Sequence, residues 1–269
     1  MTSLAKTLDD VIPLGGFPIV RTHSAQLIDH LAQRLETGEQ QILCFANTNL
    51  IVQCQTMLNE MSKPPMLIVN DGVGIDIATW LIHKQKFIEN LNGTDFTPAF
   101  LQAVKDRAQV FLFGAKPGIA EQAAKVLEDA GIAVVGFKHG YVQAQETQAL
   151  IEFINSSEAN ILLVAIGNPA QERWLLEHHR NLRATVLIGV GALLDFLAGD
   201  KPRAPALVQK LRMEWFYRLC LEPTRLLRRY TIDIGKFLAL CFKQEKQRKQ
   251  SMSNTSIHKE SINKESSAS

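Results

Sequence analysis

Six short runs of almost unbroken apolar residues constrain this chain more than any other feature. They are Gln41–Ala46, Met66–Asn70, Val110–Phe113, Ile132–Val135, Ile161–Ala165 and Thr185–Ile188. A strand with one wet face alternates polar and apolar residues, so runs without alternation belong to strands covered on both faces. The segments between them carry a helical period. Ala120, Ala123, Ala124 and Leu127 form one stripe within 120–130, and a second helix opens after Pro169 with Trp174, Leu175 and His178. Strand and helix in alternation require parallel pairing through right-handed crossovers. The expected fold is α/β: a Rossmann-like, mostly parallel sheet or sheets with helices on both faces, plus a C-terminal helical appendage.

Residues 1–200 read as the α/β catalytic body, with lobes of about 1–105 and 106–200 and no Pro/Gly/Ser-rich linker between them. Residues 201–243 turn basic, helical and richer in large apolar side chains. Residues 244–269 are polar with almost no apolar content, and are expected to be disordered because they cannot bury enough surface to offset ordering entropy. The net charge of +2 hides this division. Residues 201–250 carry 13 Lys+Arg against 4 Asp+Glu, and residues 1–200 carry 14 against 21. An acidic body joined to a basic segment suggests an anionic partner at one end: nucleic acid, an anionic membrane or a phosphate-rich ligand.

With 46% hydrophobic and 21% charged residues, the chain is neither disordered throughout nor fibrous. The four cysteines contain no CxxC pair, so neither a zinc site nor a disulfide framework is indicated, and Cys44 and Cys54 read as small core residues. Adjacent His178 and His179 do not face the same way on a helix, and no ligand partner stands at metal spacing. No secretory signal and no apolar run of about 18 residues is visible, so a cytoplasmic location is expected.

Chemistry concentrates where strands end. Asn70-Asp71-Gly72-Val73-Gly74 follows a strand and opens a helix. In a parallel sheet this is the ligand-binding edge. Asp71 reads as a general base or a sugar-hydroxyl ligand, or simply as a helix cap. Gly114-Ala115-Lys116-Pro117-Gly118 offers backbone N–H groups and one cation for a diphosphate, or is a plain turn. Asn168 and Gln171, within Gly167–Glu172, suit hydroxyl-rich ligands, though Asn168 could cap and Glu172 could be a first-turn charge. Asp195, within Gly189–Asp195, could hold a ribose or base edge, or pair locally. Arg218, Arg225 and Arg229 recur at helical spacing across Pro223, as on a basic amphipathic helix that lies at a membrane or holds phosphate, or equally on a surface helix docked on the body with a solvated charged face.

Taken in order, these motifs resemble the WecG/TagA/CpsF glycosyltransferases, glycosyltransferase family 26. The series begins with Asn49, Asp71-Gly-x-Gly74, Gly93-Thr94-Asp95, the 114–118 loop and Gly140-Tyr141. It continues with 167–172, 189–195, Arg203-Ala204-Pro205, Glu214-Trp215, Glu222-Pro223 and the arginine run ending at Tyr230. The resemblance spans about residues 11–243.

The resemblance implies inverting, metal-independent transfer of a sugar from a UDP donor to a polyprenyl-diphosphate-linked acceptor at the inner face of the cell membrane, with no cofactor and no nucleic acid. Self-association is left open. It places Asp71 as catalytic base. Gly114, Lys116, Gly118, Gly140, Tyr141, Asn168, Gln171 and Asp195 fall on the donor side. Asn49, Asp95, Arg203, Arg218, Arg225 and Arg228 fall on the acceptor or diphosphate side. The sequence departs from the usual pattern at Ala170, Asn47 and Asn90. The segment Asn90–Phe96 looks more like the GumM-like xanthan and acetan glucuronosyltransferase branch, in exopolysaccharide assembly, than the N-acetylmannosamine or N-acetylmannosaminuronate transferases.

Two other classes compete less well. A nucleotide-dependent oxidoreductase would need the missing GxGxxG and its ribose-binding acid. A non-enzymatic membrane adaptor would not need the ordered polar motifs at strand ends.

Overall fold

The computed structural model describes residues 8–201, Val208, Tyr217 and residues 234–266. Arg203, Arg218, Arg225 and Arg228 lie outside the described residues, as does Cys220.

One eight-stranded sheet organises the body. Its strands are β1 Val11–Leu14, β2 Phe17–Val20, β3 Gln41–Ala46, β4 Met66–Asn70, β5 Val110–Gly114, β6 Val134–Lys138, β7 Ile161–Ala165 and β8 Val186–Gly189. Their order is β1-β2-β4-β3-β8-β7-β5-β6. Only the β1–β2 pair is antiparallel; every other pairing is parallel. The two expected lobes therefore share a sheet, stitched where β3 pairs with β8 from Gln41↔Val186 to Cys44↔Gly189.

The helices of the body are α1 Ser24–Thr37, α2 Thr48–Gln53, α3 Leu58–Met61, α4 Val73–His83, α5 Gly93–Ala103, α6 Ile119–Asp129, α7 Thr147–Ser156, α8 Ala170–His178 and α9 Leu193–Leu197. Successive strand residues point to opposite faces, so each strand feeds two cores. Ile42, Cys44 and Ala46 join Leu50 of α2, Ile75 of α4, Ile151 of α7 and Leu175 of α8. Leu43 and Phe45 join Leu27 of α1, Phe100 of α5, Ala123 of α6 and Leu193 of α9. Both faces are covered over the inner strands, as the unbroken apolar runs require, whereas β6, read as buried, is an edge strand with no fully buried residue.

Three sequence readings change. The β1–β2 hairpin was not anticipated. It turns on Gly15-Gly16, both at positive φ (59° and 89°), the conformation that two-residue hairpin turns demand. The strand expected at 132–135 begins at Val134, because Gly131 and Ile132 still close the turn of α6 onto Glu128 and Leu127. The chain expected to be disordered from 244 instead continues a C-terminal helix, Ile234–Ser266. Phe237 and Cys241 are buried in the first core, and Glu245, one turn on, is also buried. Arg248 and Lys249 pair with Glu245 at i,i+3 and i,i+4. Lys, Gln, Glu and Arg are good helix formers, so charge alone does not break the element.

Candidate active site

Every parallel strand points its carboxyl end to the same edge, and there the polar motifs gather. The strand order also opens crevices at that edge. β3 and β7 lead to α2 and α8 on one face, whereas β8 between them and β5 beyond lead to α9 and α6 on the other. Chain leaving in opposite directions from neighbouring strands leaves a gap for a ligand.

Asp71 stands at this edge, half-buried. Its N–H donates to the Ala46 carbonyl at 2.8 Å, extending the β3–β4 ladder by one residue. Gly72, at φ 92°, turns the chain into α4, a conformation that glycine alone adopts without strain. The segment 84–92 braces the turn. Asn70 Nδ2 donates to the Glu89 carbonyl at 2.8 Å, and the Gly72 N–H donates to Asn90 Oδ1 at 2.6 Å. Glu89 is itself held by the Ser24 N–H at 3.0 Å and by His23 Nδ1 at 2.8 Å. Burial raises its carboxyl, but the Ser24 and His23 bonds outweigh burial and hold it below the ordinary value. The sequence reading gives Glu89 and Asn70 no role of their own, and Asn90 stands out there as a departure from the family pattern and as the head of the segment Asn90–Phe96.

Asn49 lies in the first turn of α2, half-buried, behind the Asn47 cap, whose Oδ1 accepts from the Leu50 N–H at 3.0 Å. α2 and α4 approach closely: a Cβ on Gly74 would lie 2.7 Å from Thr48 Cγ2. Asp95 lies in the first turn of α5, where Asn92 is the cap: Asn92 Oδ1 accepts the Asp95 N–H at 2.9 Å, and Asn92 Nδ2 donates to Asp95 Oδ2 at 2.7 Å. Asp195 is paired with Lys201 Nζ at 2.8 Å.

The β5, β6 and β7 ends pack backbone to backbone. Gly114 has φ 139°, and a Cβ there would overlap the Ala165 carbonyl carbon and oxygen. The Ala115 N–H donates to Ala165 O and the Gly140 N–H to Ala115 O, each at 2.9 Å. Lys116 and Gly118 are exposed on this turn, and Tyr141 is 67% exposed.

Gln171 and Glu172 are both buried. Gln171 Nε2 donates to Glu172 Oε1 at 2.8 Å, and its Oε1 accepts from the Gly191 N–H at 3.1 Å. Asn168 Nδ2 also donates to Glu172 Oε1. Burial raises the Glu172 carboxyl above its ordinary value, against the Gln171 and Asn168 bonds. Among the described residues, the N-cap residues of α4, α6, α8 and α9 make no side-chain cap bond, but the Glu172 carboxylate accepts from its own backbone N–H in the first turn of α8.

Strand spacing of about 4.8 Å sets the scale of the site. From β4, the β8 and β7 loops lie two and three strands away, about 10 and 14 Å. The β5 and β6 loops lie about 19 and 24 Å away. Asp71 and Tyr141 thus cannot address the same small group. They can address opposite ends of an elongated ligand.

Among the described residues, no group of three or more His, Cys, Asp and Glu is arranged to hold a metal ion. His178 instead packs on Trp174, with ring centroids 5.2 Å apart. Among the described residues, no helix is long and apolar enough to cross a membrane.

The fold is Rossmann-like α/β, with the polar motifs gathered at the carboxyl edge of its sheet. The chain belongs to the Glycosyl transferase WecG/TagA/CpsF family, which it matches over residues 12–251. It is a glycosyltransferase, acting on a nucleotide-sugar donor and an acceptor.

Proposed function

We propose that the enzyme is an inverting UDP-sugar transferase with a polyprenyl-diphosphate-linked oligosaccharide as acceptor, in exopolysaccharide assembly. Glucuronic acid is the favoured sugar, on the strength of the Asn90–Phe96 segment. The same family's N-acetylmannosamine or N-acetylmannosaminuronate transfer is the second reading.

The observation that carries the mechanism is the bracing of the Asp71 turn at the carboxyl edge of the sheet, where the polar motifs gather. Asp71 takes the acceptor hydroxyl proton as that oxygen attacks the anomeric carbon. The departing diphosphate then lies over the β8 and β7 loops, two to three strands from the base. Uridine extends toward Gly114, Lys116, Gly118, Gly140 and Tyr141. This order moves Lys116 from the diphosphate toward the nucleoside end.

Arg203, Arg218, Arg225 and Arg228 are proposed to serve the diphosphate and an anionic membrane surface at the inner face of the cell membrane. Lys236, Lys243, Lys246, Arg248 and Lys249, all exposed on the C-terminal helix, extend the same charge. No metal is proposed for the reaction.

A donor screen tests the reading. UDP-glucuronate, UDP-N-acetylmannosamine and its uronate are offered with a membrane extract holding lipid-linked acceptors, with and without EDTA. Turnover with UDP-glucuronate, unchanged by EDTA, is expected. Turnover only with another donor, or only with added Mg²⁺ or Mn²⁺, would overturn the respective part. Charge reversal at the four arginines, assayed by vesicle sedimentation, tests the membrane arm. Deletion of 201–243 would not, because it removes Phe237 and Cys241 from the core.

A further inference from the structure

We infer that Glu172 is a positioning residue that fixes the width of the crevice between the β7 and β8 loops. The inference rests on the reading of that crevice as the donor diphosphate site.

Glu172 is 0% exposed, in the first turn of α8. Its Oε1 receives both side-chain amides of the β7 loop, from Asn168 and, at 2.8 Å, from Gln171. Its Oε2 lies 4.0 Å from Cys54 Sγ, at the C-terminal end of α2. The bond to Gln171 turns that amide so that its oxygen meets the Gly191 N–H at 3.1 Å. Gly191, at φ 56°, is the turn that leads β8 into α9. One carboxylate therefore ties together segments following β3, β7 and β8. The fit is close, since a Cβ on Gly189 would lie 2.9 Å from Gln171 Nε2.

A charged acceptor is the group this arrangement calls for. Two NH₂ donors converge on one oxygen, and a carboxylate accepts both with no hydrogen of its own to place. An ionised side chain is costly to bury, and an apolar residue would fill the same volume without that cost. What the carboxylate adds is the orientation of Gln171, and through it the position of Gly191. Glu172 touches neither reactant. It acts through the loops that do.

The test uses Glu172→Gln, Gln171→Ala and the double variant of the full-length enzyme. UDP affinity is read by calorimetry, together with donor KM, kcat and the thermal midpoint. E172Q is expected to keep a cooperative melt and to weaken UDP binding and raise donor KM about tenfold, the loss of one hydrogen bond to a charged group. The effect on kcat should stay within about threefold. The double variant should bind UDP no more than about twofold worse than Q171A alone, because the two residues act in series. Wild-type UDP affinity in E172Q, or additive losses in the double variant, would overturn the inference. Unchanged UDP affinity in Q171A would overturn the donor-site reading along with it. Should E172Q fail to fold, Asn168→Ala and Gln171→Ala carry the test, since both amides hang from one carboxylate. Their losses in UDP affinity must then be non-additive, and independent losses overturn the proposal.

Discussion

Asn90 Oδ1 accepts the Gly72 backbone N–H at 2.6 Å, across 18 residues of sequence. That bond holds the turn on which Asp71 sits. Asn90 is also one of the positions read as a departure from the usual pattern of the family, so that departure coincides with a bond that shapes the Asp71 turn. Asn90→Ala should lower stability by about 1 kcal/mol, the net worth of one hydrogen bond. Turnover should fall further than that loss of folding explains. Asn90→Asp retains the acceptor and should recover most of it. Urea melts beside initial rates separate the two effects.

Asp71→Asn removes the proposed base while keeping the shape of the side chain. Sugar transfer should drop by about 10²–10⁴-fold, the usual contribution of a general base. UDP affinity and the urea midpoint should stay near those of the wild type. Turnover within a few-fold of the wild type would remove Asp71 from the mechanism.

Two glycines of one turn should respond differently to a methyl group. Gly114→Ala sets a Cβ into the Ala165 carbonyl at φ 139°, so steric overlap adds to backbone strain. A loss of about 3 kcal/mol is expected. Gly118→Ala, at φ 87° with nothing within 4 Å of the new Cβ, carries the strain alone, about 1 kcal/mol. Equal losses would mean that the β5–β7 contact is looser than the structure has it.

His30 supplies a pH signature. Burial lowers its pKa below 6.5, against the hydrogen bond to Gln41 Oε1 at 3.1 Å, and Arg34 lowers it further. The unfolded chain then binds the proton more readily than the folded one. The stability this group contributes is present above pH 6.5 and is lost as pH falls from there through the lowered folded value. His30→Gln should flatten the urea midpoint over that window. An unchanged slope would show that the ring titrates normally in the fold.

Cys54 and Cys241 are buried, and burial pushes each thiol up to about 12. Neither should react with a thiol reagent at neutral pH until the protein unfolds. Peptide mapping after a timed alkylation would reveal any native-state labelling.

The sequence alone determined five buried strands, the α/β class and the ordered motifs that mark the family; the sixth run became the half-exposed edge strand β6. These are local signals: a strand covered on both faces loses its alternation wherever it lies, and a motif is read from neighbours in the chain. The strands' lateral order is not local. Nothing in Gln41–Ala46 or Val186–Gly189 says that they pair, yet that pairing puts the β8 loop within about 10 Å of Asp71. The same holds for side-chain roles. Gln171 reaches the Gly191 N–H, 20 residues away, whereas Asp195 and Asp95 pair locally with Lys201 and Asn92. The residues that brace Asp71 come from a segment about 18 residues downstream. Periodicity reports which face a residue occupies, whereas a hydrogen bond depends on where two faces meet, and only the folded sheet brings them together.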